Sequence, residues 1–379
     1  LDFIGIYFAQ GRMAIRPYII LPMKRHRNII DWLTGGIFKF RYLLLFICRF
    51  FLYLTGLRLI NFFRNWFEYK NLKPILKSFP PQVVIDLTNI CNLKCPLCPT
   101  GLGMLDRKKG KMDYAMFESI LDQLESRTMA IHLYNWGEPL LLSDFPHYCS
   151  LAKKSGFVVS ASTNLNILMD ENKARELVES GLDRLIISLD GLSEETYSLY
   201  RKGGEFQKVI QNINLLVNAK KLLGKKYPLL YFQLVRHKGN DSDVPLFGRA
   251  CRRLGADYYS IIDILLPFGE QANPILVNNW IPGDRLINQA SIFDIPESEI
   301  GRACFHLWKL PVINCDGTVA PCCYVYRQKD DMGDLNTKSF VDVWNSMEYQ
   351  NGRNLFKSKD GPAIESCWHC SVYREYRCE

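Results

Sequence analysis

The chain lacks any run of about 20 apolar residues free of charge, the length a helix needs to cross a bilayer. Its most apolar stretch, Tyr42 to Leu57, is broken by Arg49 and followed at once by Arg58. A secretory signal is also missing, because that run lies too deep in the chain. No internal repeat and no low-complexity tract is present, which argues against a solenoid or propeller. Most of the chain has no excess of basic charge: residues 78–379 hold 34 Lys/Arg against 36 Asp/Glu. A nucleic-acid enzyme more often carries a basic catalytic domain, so nucleic acid is not expected as a partner. Nor do the cysteines suit a disulfide framework. There are 13, an odd number, and they cluster. Metal binding in a reducing compartment accounts for them better, and a cytoplasmic location is expected.

The basic charge is concentrated in residues 1–77, with 13 Lys/Arg and three Asp/Glu among dense aromatic and aliphatic residues. Basic flanks around a short apolar run suit a helix lying in the membrane interface. Residues 24–77 are therefore expected to meet a membrane surface, peripherally at its inner face. The competing reading is a helical extension packed on the rest of the protein or on another subunit. The chain begins at Leu1, and Met13 and Met23 are candidate starts.

From about residue 80 the pattern alternates. Apolar, β-branched runs predict strands at 82–88, 129–134, 157–162, 183–189, 229–235 and 257–263. Helical spacing between them predicts helices at 113–126, capped by Asp113, at 171–180 and at 205–224. Repeated strand–helix units imply a parallel sheet. Residues 266–303, with several prolines, read as a linker. Beyond them, residues 312–320 read as a hairpin turning on Asp316-Gly317, and 339–356 as a helix.

Three cysteines follow the first strand as Cys91-Asn-Leu-Lys-Cys95-Pro-Leu-Cys98. Three thiolates on one loop suit three irons of a [4Fe–4S] cube. No fourth cysteine is near in sequence, so one iron is left open for a ligand. A zinc site normally takes four ligands, often as two C-x2-C pairs. Together with the Thr88-Asn89-Ile90 prefix and the Cys-Pro-Leu-Cys-Pro segment, this loop resembles the signature of the radical S-adenosylmethionine (radical SAM) superfamily, with Leu97 at its large apolar position.

The resemblance implies a partial (β/α)6 TIM-like barrel over 78–265, with chemistry at the C-terminal strand ends. It also implies that S-adenosylmethionine binds the open iron and is cleaved reductively, with electrons from a donor such as flavodoxin or ferredoxin. Asn135-Trp136-Gly137-Glu138-Pro139 resembles the family's Gly-Gly-Glu-Pro motif, with Trp136 in place of the first glycine. Gly137, Glu138 and Pro139 are thereby cast as cofactor contacts, glycine permitting close approach. So are Thr163, Asn164, Ser188, Asp190 and Gln233 at the next strand ends, beside Leu97. Arg236, His237 and Asp263 stand near suitable strand ends for a proton-accepting base, although His237 by itself reads as a surface loop residue.

The C-terminal cysteines resemble the auxiliary-cluster domain of SPASM and twitch radical SAM proteins. That resemblance implies a small α+β domain over 304–379, in which Cys304, Cys322, Cys367 and Cys370 hold one auxiliary [4Fe–4S] cluster. Cys323 is the alternative to Cys322, Cys315 and Cys378 are simple hydrophobes, and four-cysteine zinc is the competing reading. The expected function is radical oxidation of a sugar or lipid-linked glycan. The alternatives are a SPASM-type peptide or protein maturase, from which residues 1–77 differ in not resembling a leader-peptide-binding domain, and a non-catalytic cluster scaffold or redox sensor.

Overall fold

A computed structural model describes residues 55–124, 126–264, 266, 274–283, 304–358, 365–368 and 370. Six strands come first: β1 (Gln82–Ile85), β2 (Ala130–His132), β3 (Val158–Thr163), β4 (Arg184–Ser188), β5 (Leu229–Arg236) and β6 (Tyr258–Asp263). They pair in parallel in sequence order, as helical crossovers require. All six coincide with predicted strands. Residues 86–88 of the first instead leave the ladder and start the cysteine loop.

The barrel helices form for local reasons. In α2 (Tyr114–Leu124), Phe117, Ile120, Leu121 and Leu124 are buried, and Asp113 caps the start by accepting from the Met116 amide at 2.8 Å. In α4 (Glu171–Glu179), Asp170 accepts from the Lys173 amide at 2.8 Å, with Ala174, Leu177 and Val178 inward. Between them lies α3 (Phe145–Lys154), and α5 (Glu194–Tyr200) and α6 (Phe206–Leu222) join β4 to β5. Strand residues facing these helices, such as Val83, Ile131, Val159, Leu185 and Phe232, form the main apolar core.

Beyond α7 (Val244–Arg253) and β6 comes a helix where the sequence suggested only a linker. This α8 (Pro274–Trp280) packs through Val277 against the apolar shell of the cysteine loop. After α9 (His306–Lys309), β7 (Val312–Ile313) pairs in parallel with the free edge of β1. The antiparallel strands β8 (Thr318–Ala320) and β9 (Gly333–Asp334) follow. One nine-stranded sheet therefore runs β6-β5-β4-β3-β2-β1-β7-β8-β9. The hairpin turn spans four residues, Asn314 to Gly317, not two. Asn314 N–H donates to Thr318 O at 2.8 Å, and Gly317 takes φ +86°. The helix expected at 339–356 is two, α10 (Phe340–Trp344) and α11 (Met347–Ser358). Asn345 interrupts it by pairing its side-chain amide with the Leu76 backbone, donating at 2.9 Å and accepting at 2.8 Å. A short α12 (Glu365–Trp368) is the last described element.

Of residues 24–77, expected to meet a membrane surface, 24–54 lie outside the described residues. The rest includes α1 (Gly56–Lys70), which packs on the protein through polar side chains. Asn61 donates to Phe79 O at 3.0 Å and Arg127 O at 3.1 Å. Asn65 donates to Ser78 Oγ at 3.0 Å and Trp308 O at 2.7 Å. No described helix is long and apolar enough to cross a membrane.

Asn65 thus ties α1 to both the barrel approach and the C-terminal region. Asn65→Leu leaves the buried Trp308 carbonyl without this donor. It is expected to cost about 1–3 kcal/mol, read as a lowered denaturant midpoint.

Candidate iron–sulfur and cofactor site

The three cysteines sit where β1 ends, on a loop fastened at several points. Thr88 Oγ1 donates to Gly110 O at 2.8 Å, Asn89 Nδ2 to Lys108 O at 2.9 Å, and Gly110 N–H back to Asn89 Oδ1 at 2.9 Å. Inside the loop Cys98 N–H donates to Cys95 O at 3.1 Å, and Lys94 N–H reaches Lys202 O at 2.9 Å. Leu93, Leu97, Tyr200, Ile264, Val277 and Ile281 surround the thiols with apolar surface.

That burial has an electrostatic cost. It pushes the Cys91 thiol up to about 11, with Glu138 and the other two thiols adding. Cys95 is also pushed up by burial, and Arg201 opposes the shift. A cation would favour the thiolate forms of Cys91 and Cys95, and iron supplies one. Among the described residues no three His, Cys, Asp or Glu side chains converge tightly enough for a single bare ion. Thiols of a four-iron cube each take a different iron, so they need not converge on one point. The donor set fits a cluster.

The neighbouring strand ends brace this loop. A Cβ on Gly137 would lie 1.7 Å from Thr88 O, so this glycine serves close approach of two backbones, not only approach to a ligand. Glu138 N–H donates to Ile90 O at 2.9 Å. The buried Glu138 carboxylate accepts from Thr163 Oγ1 and Asn164 N–H, each at 2.6 Å, and from Leu140 N–H at 3.1 Å. Pro139, also buried, opens a single 3-10 turn. Asn164 Nδ2 points at Asn92 Oδ1 at 3.0 Å and Cys91 Sγ at 3.7 Å. Asp190, fully buried, accepts from Arg201 Nε at 2.5 Å and Val235 N–H at 2.7 Å, and Arg201 Nη1 reaches 3.9 Å from Cys95 Sγ. The side chains of Glu138, Thr163 and Asp190 thus already have protein partners and hold the loop in shape. Ser188 and Gln233 are register partners on β4 and β5, half-buried. Arg201 carried no motif and was missed.

The base candidates separate. Arg236 is paired with Asp241 at 2.5 Å and lies 3.9 Å from Asp263. His237 is fully buried rather than a surface loop residue, with its ring 5.5 Å from Tyr200 and 5.3 Å from Trp280. Reading it without α8 hid this, because Trp280 belongs to that helix. Sequence reasoning also missed a polar group on the opposite strand face, at every second position. His132 Nδ1 lies 2.6 Å from Ser160 Oγ and Nε2 2.9 Å from Gln82 Oε1. Tyr231 and Tyr258 stack at 4.5 Å. Burial, then Arg184 and Lys309, push His132 down to about 3. Burial also brings the Lys309 amine down to about 7.

The C-terminal cysteines influence one another. Burial raises Cys304 to about 12, with Cys370 and Cys323 adding. Cys322 is raised by burial, then by Cys323, Cys304 and Cys367; Cys367 by burial, then by Cys304 and Cys370. Cys304, Cys322 and Cys367 therefore lie near one another, with Cys370 near Cys304 and Cys367, and Cys323 near Cys322. Cys315 is buried in the main apolar core, and Cys378 lies outside the described residues.

Two side chains join the thiol groups. Trp136 donates its amide to Asp86 at 3.2 Å and its indole N–H to Val325 O at 3.2 Å. Its ring also meets Tyr326 edge-on. A large residue stands in the glycine position because the segment after Cys322-Cys323 packs there. Arg107, on the loop after Cys98, bonds Asp331 at 2.7 and 2.5 Å and Thr318 Oγ1 at 2.7 Å.

A family model for the radical SAM superfamily matches residues 85–225, and one for an iron–sulfur cluster-binding domain, SPASM, matches residues 304–371. Residues 85–225 form a radical SAM domain and residues 304–371 a SPASM domain. The chain's cofactors are S-adenosylmethionine and [4Fe–4S] clusters, including an auxiliary one. This radical SAM protein is 29% identical over 314 residues to the tungsten-containing aldehyde ferredoxin oxidoreductase cofactor-modifying protein of Pyrococcus furiosus, covering 76% of this chain and 86% of that one. It is 28% identical to PqqA peptide cyclase of Gluconobacter oxydans, over 48% of each chain. Among solved structures it resembles Streptococcus suis SuiB bound to S-adenosylmethionine, with a TM-score of 0.58 and 18% identity, over 84% of this chain and 76% of that one. A second is anSMEcpe with bound AdoMet, with a TM-score of 0.54 and 20% identity, over 78% and 88%. These two likenesses show the partial-barrel fold.

Gly137→Ala is expected to abolish stable cluster incorporation, measured as iron per chain after anaerobic reconstitution. Gly110→Ala, where a Cβ meets nothing within 4 Å, should leave it unchanged. Arg107→Met strands the nearly buried Asp331 and should cost about 3–5 kcal/mol. Arg107→Met with Asp331→Leu should recover most of that in the denaturant midpoint.

Proposed function

We propose that this radical SAM protein is a maturase of the SPASM type, modifying a peptide or protein-borne substrate. The observation that carries this reading is the set of four neighbouring auxiliary thiols joined to the cysteine loop through Trp136 and Arg107. Similarity to a peptide cyclase and to a cofactor-modifying protein supports it further. The same comparisons lend less support to the expected oxidation of a sugar or lipid-linked glycan. An oxidoreductase outcome stays open to test, since the relatives include a cyclase and a methyltransferase.

In this reading Cys91, Cys95 and Cys98 hold one cluster and Cys304, Cys322, Cys367 and Cys370 the other. Leu97, Gly137, Glu138, Pro139, Thr163, Asn164, Ser188, Asp190 and Gln233 shape the cofactor pocket, some by direct contact and others by bracing. When bound, cluster and S-adenosylmethionine supply one-electron cleavage chemistry that reaches unactivated C–H bonds. Arg201 balances charge at Cys95. The apolar shell excludes water, which would otherwise quench a reactive species. A small electron carrier such as flavodoxin or ferredoxin is the proposed donor. The basic segment 24–77 supports peripheral placement at a membrane.

Anaerobic reconstitution with S-adenosylmethionine and a strong reductant should yield 5′-deoxyadenosine, and Cys95→Ala should yield none. S-adenosylmethionine that fails to bind the reconstituted protein would favour the scaffold reading. Turnover stimulated by a glycan and by no peptide would overturn the maturase reading.

A further inference from the structure

α1 is folded inside out. An ordinary surface helix buries its apolar stripe and shows its charges to water. Here Arg58, Asn61, Asn65 and Glu68 face inward with only Phe62 as an apolar companion, while Leu57, Ile60, Phe63 and Phe67 are 48–63% exposed. Their spacing of three, three and four residues puts the four on one outward stripe. The inversion is built and not a slip of register, because the inward groups find partners. Arg58 Nη1 donates to Gly156 O at 2.5 Å. Asn61 both donates to and accepts from the Phe79 backbone. Glu68 accepts from the Lys77 and Ser78 amides at 3.0 and 3.2 Å. Rotating the helix to hide its apolar side would break all of these.

The charges around the stripe say what it meets. Arg64, Lys70 and Lys73 are exposed beside it, and Lys73 Nζ lies 5.3 Å from the centre of the Phe67 ring. The helix has one acid, Glu68, and it is buried. Residues 24–54, which lead into α1, hold six Lys/Arg and one Asp. A second copy of the chain docked on this face would bring like charges together. An anionic lipid surface instead accepts the aromatic and aliphatic side chains among its acyl chains and the basic rim among its headgroups.

We propose that the Leu57–Ile60–Phe63–Phe67 face of α1 seats this enzyme in the interface of an anionic bilayer. This rests on the peripheral placement above and names its surface. Through the inward face of α1, the barrel and the auxiliary region are held to the membrane in one fixed orientation.

The test is sedimentation of the full chain with phosphatidylcholine vesicles, with and without phosphatidylserine, at low and high salt. The wild type should bind the serine-lipid vesicles at least about tenfold better and release as salt rises. Phe63→Glu with Phe67→Glu should lose that binding and keep both its melting temperature and its uncoupled S-adenosylmethionine cleavage. Leu222→Glu, at an exposed apolar position elsewhere, should change nothing. No binding by the wild type overturns both the face and the peripheral placement. Equal binding by the double variant overturns the face alone. A lowered melting temperature in the double variant shows the stripe covered by the chain itself. A concentration-dependent dimer that the double variant abolishes shows it covered by a second copy. Either result also overturns the proposal.

Discussion

The backbone ladder on both sides of β1 is the constraint on which the rest depends. On one side β1 pairs with β2, as the first strand of a parallel barrel must. On the other it pairs with β7, where Val84 N–H donates to Pro311 O at 3.0 Å and Asp86 N–H to Ile313 O at 2.8 Å. A strand bonded on both edges has little freedom to twist or slide. Its C-terminal end is therefore a rigid point, and there the chain leaves the ladder to carry Cys91, Cys95 and Cys98. The same strand thus fixes the cysteine loop and joins the auxiliary region to the barrel.

Rigidity there has an electrostatic use. Burial disfavours the charged forms of Cys91, Cys95 and Glu138 and pushes all three up. Asp86 is pushed up to about 7 by burial, against the amides of Trp136 and Gly137. The cost is met by pairing: Asp190 with Arg201, Arg201 beside Cys95, Asp331 with Arg107. Without metal the raised thiols stay protonated, so cluster binding and the charge balance of the site are one equilibrium. Buried ion pairs of this kind add little net stability compared with apolar packing. They do hold the loop in one geometry, which cofactor chemistry needs.

The joint between barrel and auxiliary region is made largely of polar groups reaching backbone. Trp344 Nε1 donates to Ser78 O at 3.0 Å, Trp308 Nε1 to Lys73 O at 2.9 Å, and Arg353 to Leu307 O and Pro74 O, each at 2.9 Å. Residues 71–80 have no regular structure of their own beyond the last turn of α1. The carbonyls of Lys73, Pro74, Leu76 and Ser78 are satisfied by side chains more than 200 positions away. Such a segment looks like a linker by composition and works as mortar.

The six barrel strands were legible because each presents an apolar alternation to its helices, and local physics decides that pattern. So was the cysteine loop, because its three thiols lie within eight residues and iron ligation tolerates few spacings. The proposed grouping of Cys304, Cys322, Cys367 and Cys370 rests on resemblance, since no local rule brings residues so far apart together. Arg201, Arg107 and the inverted face of α1 left no trace. Their partners are distant in sequence, and an arginine or asparagine looks the same whether water or a buried carbonyl receives it. Sequence alone therefore determined the radical SAM resemblance, the strands and the three-cysteine loop. Only the tertiary structure decided which polar groups are buried, because burial is settled by what the rest of the chain brings against them.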